Sequence, residues 1–472
     1  MTTTSQTTGC PFHHATTDAL APSSSRALAP ARVPGPRGLA WISMLFGLMW
    51  RPLKKLMSAR ARHGDVFRIG MGPMPAVFFV ADPDAARHVL VTRAASYVKS
   101  RTYDGLKCFV GEGLLTNAGG EVWKRHRRLA SPAFHRARFA ALVTRMADAT
   151  ARTIERLGDR TEIEVHAEMT RLTLTIVGRT LFDVDLSSDG KLARAFDRAI
   201  RFANTYAISP VRIPVSWPTP WNLRFRRARA VLDAFVDRVI TERRANPGDR
   251  GDLMSMLMAA NQDDGSMDDR ELRDEVMTMV GAGHETTASG MAWLLWLLAR
   301  HPEQQERVRA EVRSVLGERR PEMADLERLP YTAMVVKEAL RLHPPIWVIE
   351  RTPLEDDEIL GHRVPAGSIV AVSPYVLHRH TALWEEPDRF DPERFRPEAE
   401  AERERYAYLP FGAGPRVCIG ARFASIEMQI ITAMIVARFR LEPVPGREVV
   451  PEAMLTLRPR GGIRLRFERL VS

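Results

Sequence analysis

The chain has 472 residues, 45% of them hydrophobic, enough for a large buried core, and length alone predicts two or three domains. Its three cysteines, Cys10, Cys108 and Cys418, are too few for a disulfide framework, which points to a reducing compartment, the cytoplasm being the simplest. The formal charge of +11 comes from arginines spread along the chain; no nucleic-acid partner is expected, and an acidic protein partner reads that charge equally well.

The opening MTTTSQTTGCPFHH has neither the basic start nor the apolar middle of a secretory signal. Residues 1–36, rich in Thr, Ser, Ala and Pro, read as a flexible arm ending in the stiff turn Val33-Pro34-Gly35-Pro36. Cys10, His13 and His14 fall in that arm without a fourth metal ligand. Residues 41–50 (WISMLFGLMW) are apolar but far fewer than the roughly 20 of a spanning helix, so no transmembrane anchor is expected. Bordered by Arg51, Lys54 and Lys55, they read as a buried segment edged by solvated charge, with contact to a membrane surface left open.

Residues 65–69 and 76–80 read as a hairpin. Beyond them apolar residues recur at three- and four-residue spacing, as in 140–156 and 228–244, and the class is mainly α. Two stretches, 98–122 and the Pro/Trp-rich 208–222, read as irregular connections of the kind that form lids or binding loops. Residues 268–300 predict one long helix, with Asp268 as N-cap, Glu271 completing a capping box and His301-Pro302 ending it. Gly281 and Gly283 inside it each cost about 1 kcal/mol relative to alanine, so something flat or moving is expected against that face. Extended pieces at 358–364, 368–372 and 458–467 add small accessory sheets.

The strongest signal is Phe411-Gly412-Ala413-Gly414-Pro415-Arg416-Val417-Cys418-Ile419-Gly420, a glycine-rich loop leading to one cysteine and then a helical pattern over 421–439. The glycines let backbone approach a flat ligand, and Pro415 stiffens the loop that presents the sulfur. A cysteine just ahead of a helix feels the positive end of its dipole, which lowers the thiol pKa and favours thiolate. Arg416 is placed to neutralise a carboxylate on the same ligand.

The segment resembles the haem-binding loop of the cytochrome P-450 family, Phe-x-x-Gly-x-Arg-x-Cys-x-Gly, at every fixed position. The resemblance implies a mainly α fold of about a dozen helices with small sheets, one domain over 37–472 in place of the several that length suggests. It implies haem b, with Cys418 as axial ligand of the iron and Trp123, Arg127, Ala282, Arg351, Phe411, Gly412, Arg416, Gly420 and Ala424 around the cofactor. Trp123 and Arg127 match a Trp-x-x-x-Arg helix, and Glu338, Arg341 and Arg394 the family's buried Glu-Arg-Arg triad, a structural network. Glu285 and Thr286, in Ala282-Gly283-His284-Glu285-Thr286, match the acid-alcohol pair that relays protons to the reacting oxygen. The surrounding Lys124, Arg125, Arg128, Arg136 and Arg138 form a basic patch suited to an acidic electron donor.

The implied reaction inserts one atom of O2 into a C–H or C=C bond of a lipophilic substrate. No flavin- or iron-sulfur-binding extension follows, so a separate ferredoxin- or flavodoxin-type donor with its reductase is implied, and a monomer is expected. Phe109, Leu114, Leu115, Ile346, Val348 and Ile349 are expected to line an apolar pocket. The loop looks most like that of fatty-acid oxidising branches; terpenoids and macrolides fit such pockets too. The rival readings are a peroxide-using or isomerising haem-thiolate enzyme, against which Glu285 and Thr286 argue, and a haem-based sensor or binding protein.

Overall fold

Apolar periodicity translates into helices with one buried face. The helix expected at 140–156 is Phe139–Leu157, and its stripe Phe139, Val143, Met146, Thr150 and Ile154 is buried, four to three residues apart. The one expected at 228–244 lies within Pro220–Ala245, started by Thr219, whose side chain accepts from the Asn222 N–H. The computed structural model describes residues 33–470 apart from 73, 159–160, 187–189, 210 and 263–265; Cys10, His13 and His14 lie outside the described residues.

The long helix is Asp269–Arg300, and its capping box forms as expected: Asp268 Oδ1 accepts from Glu271 N at 2.7 Å and Glu271 Oε2 from Asp268 N at 3.1 Å. It runs against the Val165–Val177 helix, where a Cβ on Gly283 would lie 3.0 Å from Val177, so that glycine permits close helix packing. The Pro330–Leu342 and Ala421–Arg438 helices pack on its C-terminal half.

A five-stranded sheet orders Val66–Met71, Met74–Val80, Ile369–Val372, Ile349–Pro353 and Tyr97–Lys99. The first two form the expected hairpin, and Val77 then pairs in parallel with Ile369. The pieces expected at 358–364 and 458–467 appear as a small hairpin and as strands Leu457–Pro459 and Arg464–Arg469. Strands Tyr97–Lys99, Glu162–Glu164 and Ile349–Pro353 were not expected; each has at most five residues and pairs with a distant part of the chain, so no local turn chemistry marks it.

Three expectations are corrected. The stretch 98–122 is not irregular throughout: Asp104–Val110 is helical, and its Gly105 lets the backbone meet Ala203, whose carbonyl oxygen would lie 2.3 Å from a Cβ. Val33–Pro36 is docked, since Arg68 N donates to Pro34 O at 2.8 Å. The apolar segment 41–50 lies in the helix Leu39–Trp50 but is not buried: Leu39 is 84%, Phe46 61% and Trp50 70% exposed. Only one face is held, by Met44 in the core and by Trp41 Nε1 donating to Gly70 O at 2.7 Å. Among the described residues no helix is long and apolar enough to cross a membrane. The connection 208–222 does separate two helices, Gly190–Ile208 and Pro220–Ala245.

Candidate active site

The cysteine loop takes its shape from two glycines. Gly412 and Gly414 have φ of 74° and 70°, a region L side chains avoid, and a Cβ on Gly414 would fall 1.9 Å from Leu90 O. Cys418 N donates to Phe411 O at 3.0 Å and Ala424 N to Gly420 O at 2.8 Å, so the loop folds back on Phe411 and feeds straight into the Ala421–Arg438 helix. The Cys418 side chain is accessible, yet it is enclosed enough that burial pushes the thiol up, against the Gly420 N–H and the charge of Arg127.

Cations gather on one side of this loop. The Arg416 guanidinium lies 4.6 Å and that of Arg127 5.7 Å from the Trp123 ring, and Arg416 also donates to Asn117 O at 3.1 Å. Burial, then the charges of Arg351 and Arg127, push Arg416 down to about 10. Lys99, which the sequence reading missed, stands directly opposite Arg351 in antiparallel register, and burial, then Arg351 and Arg416, hold its ammonium well below the ordinary range. Among the described residues no carboxylate forms an ion pair with Lys99, Arg127, Arg351 or Arg416. Like charges facing across strands destabilise a sheet, so this arrangement calls for an anion carrying more than one charge. A tetrapyrrole with two propionates beside a glycine cradle and a lone thiol meets that need.

On the long helix, Ala282, Thr286 and Gly290 form one stripe at i, i+4 and i+8. Gly290 meets Met428 of the cysteine helix, 3.2 Å from an added Cβ, and Leu340; Ala282 and Thr286 continue that stripe and remain partly accessible. Thr286 Oγ1 donates to Ala282 O at 2.7 Å. Glu285 points elsewhere: its Oε1 accepts from Arg458 Nε at 2.5 Å and Thr456 Oγ1 at 2.9 Å, and Arg458 Nη1 reaches Asp197 at 2.7 Å. Burial works against ionisation of Glu285, but Arg458, His166 and His284 together hold its carboxyl below the ordinary range. The acid and the alcohol are therefore sequence neighbours that are not bonded to one another, and Arg458 carried no sequence signal.

The triad assembles. Arg341 donates to both Glu338 oxygens at 2.6 and 2.8 Å, and Arg394 Nε lies 3.6 Å from Glu338 Oε1. The other Arg341 nitrogen donates to His378 O at 2.8 Å and Pro387 O at 2.6 Å. His378 in turn accepts from Leu409 N at 2.8 Å, just ahead of the cysteine loop. The six pocket candidates are divided. Phe109 and Leu114 are buried in the main core with Leu115 packed on it, whereas Ile349 and Ile346 belong to the cluster under the five-stranded sheet. Ile349 lies 3.5 Å from a Cβ built on Gly412, beside the loop, and Val348 is partly exposed.

The cytochrome P450 family profile matches residues 33–467. The chain belongs to the cytochrome P450 family. Cyclooctatin synthase of Streptomyces melanosporofaciens is 39% identical over 89% of this cytochrome P450 and 92% of its own length. Cyclooctat-9-en-7-ol 5-monooxygenase of the same organism is 36% identical over 84% and 87%. A retinoic acid-bound cyanobacterial cytochrome P450 superposes with a TM-score of 0.83 at 25% identity, covering 94% of this chain and all of that one. This cytochrome P450 thus has the mainly α fold expected of it, a haem-thiolate cofactor and the chemistry of an oxygen-incorporating oxidoreductase that depends on redox partners.

Proposed function

We propose that this cytochrome P450 hydroxylates or epoxidises a terpenoid hydrocarbon, with haem b as cofactor and electrons from a separate ferredoxin- or flavodoxin-type donor with its reductase, as a cytoplasmic monomer whose residues 37–472 act as one domain. The observation that carries the reading is the accessible Cys418 thiol near Arg127, together with the mutually repelling Lys99, Arg351 and Arg416, for none of which, among the described residues, a carboxylate supplies an ion pair. The relatives named for cyclooctatin and cyclooctat-9-en-7-ol support a terpenoid over a fatty acid or macrolide.

Cys418 would ligate the iron, and Trp123, Arg127, Arg351, Arg416 and Lys99 would hold the propionates. Phe411, Gly412, Gly420 and Ala424 would line the cysteine side and Ala282 the opposite one. Bound haem with a thiolate ligand supplies the activation of dioxygen. Thr286, once its hydroxyl leaves Ala282 O, offers Oγ1 to pass a proton. Glu285, held as a carboxylate by Arg458, would turn off that arginine, take up a proton from solvent by way of partly exposed Asp197, and pass that proton to Thr286. Phe109, Leu114, Leu115, Ile346, Val348 and Ile349 would exclude water around the substrate.

The test is the ferrous carbon monoxide difference spectrum of the purified protein beside Cys418→Ser, followed by product analysis with surrogate redox partners on cyclic terpenes. The long-wavelength band that names the family, lost in the variant, together with an oxygenated terpene, is the expected result. A histidine-like spectrum overturns the site; conversion of fatty acids alone overturns the substrate.

A further inference from the structure

His166 is a titratable side chain for which the site described above has no use. It opens the Val165–Val177 helix, where its backbone N–H donates to the Glu164 carboxylate at 3.2 Å, and it is partly exposed. Its ring reaches the long helix: Nε2 lies 3.4 Å from Ser289 Oγ, and Ser289 Oγ in turn donates to Glu285 Oε1 at 3.4 Å. Ser289 stands one turn beyond Glu285 on the same face and is fully buried. His166 Nδ1 has no protein partner among the described residues and is not sealed in the core, which leaves it to solvent. Solvent is thus joined to the acid of the long helix through an imidazole and a hydroxyl, both of which accept and donate protons.

The side of Asp197 is of another kind. Both its oxygens are taken by guanidiniums, Oδ1 by Arg458 Nη1 at 2.7 Å and Oδ2 by Arg201 Nε at 3.0 Å. A guanidinium does not give up its proton, so that side serves only once Glu285 has turned away from Arg458.

We propose that His166 is a second entry for the protons that Glu285 passes to Thr286. A ring protonated on both nitrogens gives the proton on Nε2 to Ser289 Oγ, and the hydroxyl hydrogen of Ser289 moves to Glu285 Oε1. Ser289 stays neutral, the carboxylate becomes the acid, and the neutral ring takes a replacement proton from solvent as it turns. The proposal rests on the relay given to Glu285; His166 acts through that residue and touches no reacting atom. The charged and titratable groups around the ring are Glu285 and His284 of the long helix, Arg458 of its strand, Glu164 at the helix cap and Asp197. Burial holds the imidazole below its ordinary range even against the Glu285 carboxylate, so a proton on the ring is readily given up.

The test uses the full-length, haem-loaded protein with surrogate redox partners and a cyclic terpene. It reads peroxide released per reduced nicotinamide consumed, and the ratio of turnover in H2O to that in D2O. His166→Gln keeps a donor towards Ser289 but carries no proton, so a purely structural role would leave both unchanged. It is expected to raise the peroxide share about threefold and the isotope ratio about twofold, and Ser289→Ala to do the same. A second measurement needs no substrate: diethyl pyrocarbonate attacks the neutral imidazole, so peptide mapping from about pH 4 to 8 titrates His166 in place. Glu285→Gln removes the carboxylate that favours the charged ring and should move the midpoint down by roughly half a pH unit. A His166 that the reagent never reaches, a midpoint indifferent to Glu285, or both readouts unchanged in His166→Gln overturns the proposal. Should Glu285→Gln raise both readouts and His166→Gln neither, the relay stands without this entry; should Glu285→Gln raise neither, the relay itself falls and the proposal with it. If the wild type oxidises no cyclic terpene, the substrate reading has failed and the titration decides.

Discussion

Arg458 Nε stands 2.5 Å from Glu285 Oε1, so the acid of the long helix is met by a cation 173 residues further along the chain. Both side chains are buried, and removing one member of a buried pair costs about 3–5 kcal/mol because the other is left charged and alone. Arg458→Ala should lower the unfolding free energy in urea by that amount, and Glu285→Gln in the same background should recover part of it. Unfolding midpoints equal to wild type would sink this account.

Lys99 and Arg351 make a different prediction, because they are mutually repulsive until an anion joins them. Lys99→Met should stabilise the haem-free protein in thermal unfolding while accelerating haem loss to a scavenging apoprotein. A variant that loses stability in both forms would show that Lys99 serves packing alone.

Glu427 lies fully buried in the Ala421–Arg438 helix, and burial pushes its carboxyl well above the ordinary range, only partly offset by the Thr287 hydroxyl. A group whose pKa is raised on folding contributes stability below its unfolded pKa, about 4.3, and loses it as pH rises towards the folded value. Glu427→Gln keeps the shape without the proton, so its stability relative to wild type should grow from pH 5 to pH 8 on the order of 1 kcal/mol per unit. A flat difference would mean that Glu427 is ionised in the fold.

His378 titrates with the opposite sign. Its Nδ1 donates to Arg341 O at 3.1 Å while Nε2 accepts from Leu409 N at 2.8 Å, a pairing open only to the neutral ring. Burial, then the charge of Arg341, keeps the imidazole well below its ordinary range. The unfolded chain therefore binds a proton that the fold refuses, and stability is lost as pH falls below about 6.5. His378→Gln should flatten the slope of unfolding free energy below pH 6 by about one proton; an unchanged slope would remove His378 as the cause.

What was legible in the sequence was what neighbours along the chain decide. The Phe411 to Gly420 loop, the Asp268–Glu271 capping box and the Glu338–Arg341 pair are each built within a few residues and form as read. Lys99 and Arg458 were not legible, because one gains its meaning from strand register with Arg351 and the other from a bond to Glu285. The exposed face of Leu39–Trp50 was misread as buried, since an apolar run looks alike whether it meets a core or solvent.

The parallel pairing of Val77 with Ile369 also sets an order of assembly. The hairpin Val66–Val80 is among the first elements to leave the ribosome, but its partner strand is not made until residue 372 has emerged, and closing so long a loop is slow. Gly414, which rests on Leu90, comes later still. The half of the molecule that will grip the cofactor thus waits, unfinished, for the last fifth of translation, and a chain stalled before Cys418 would hold a prepared seat with nothing to lock it.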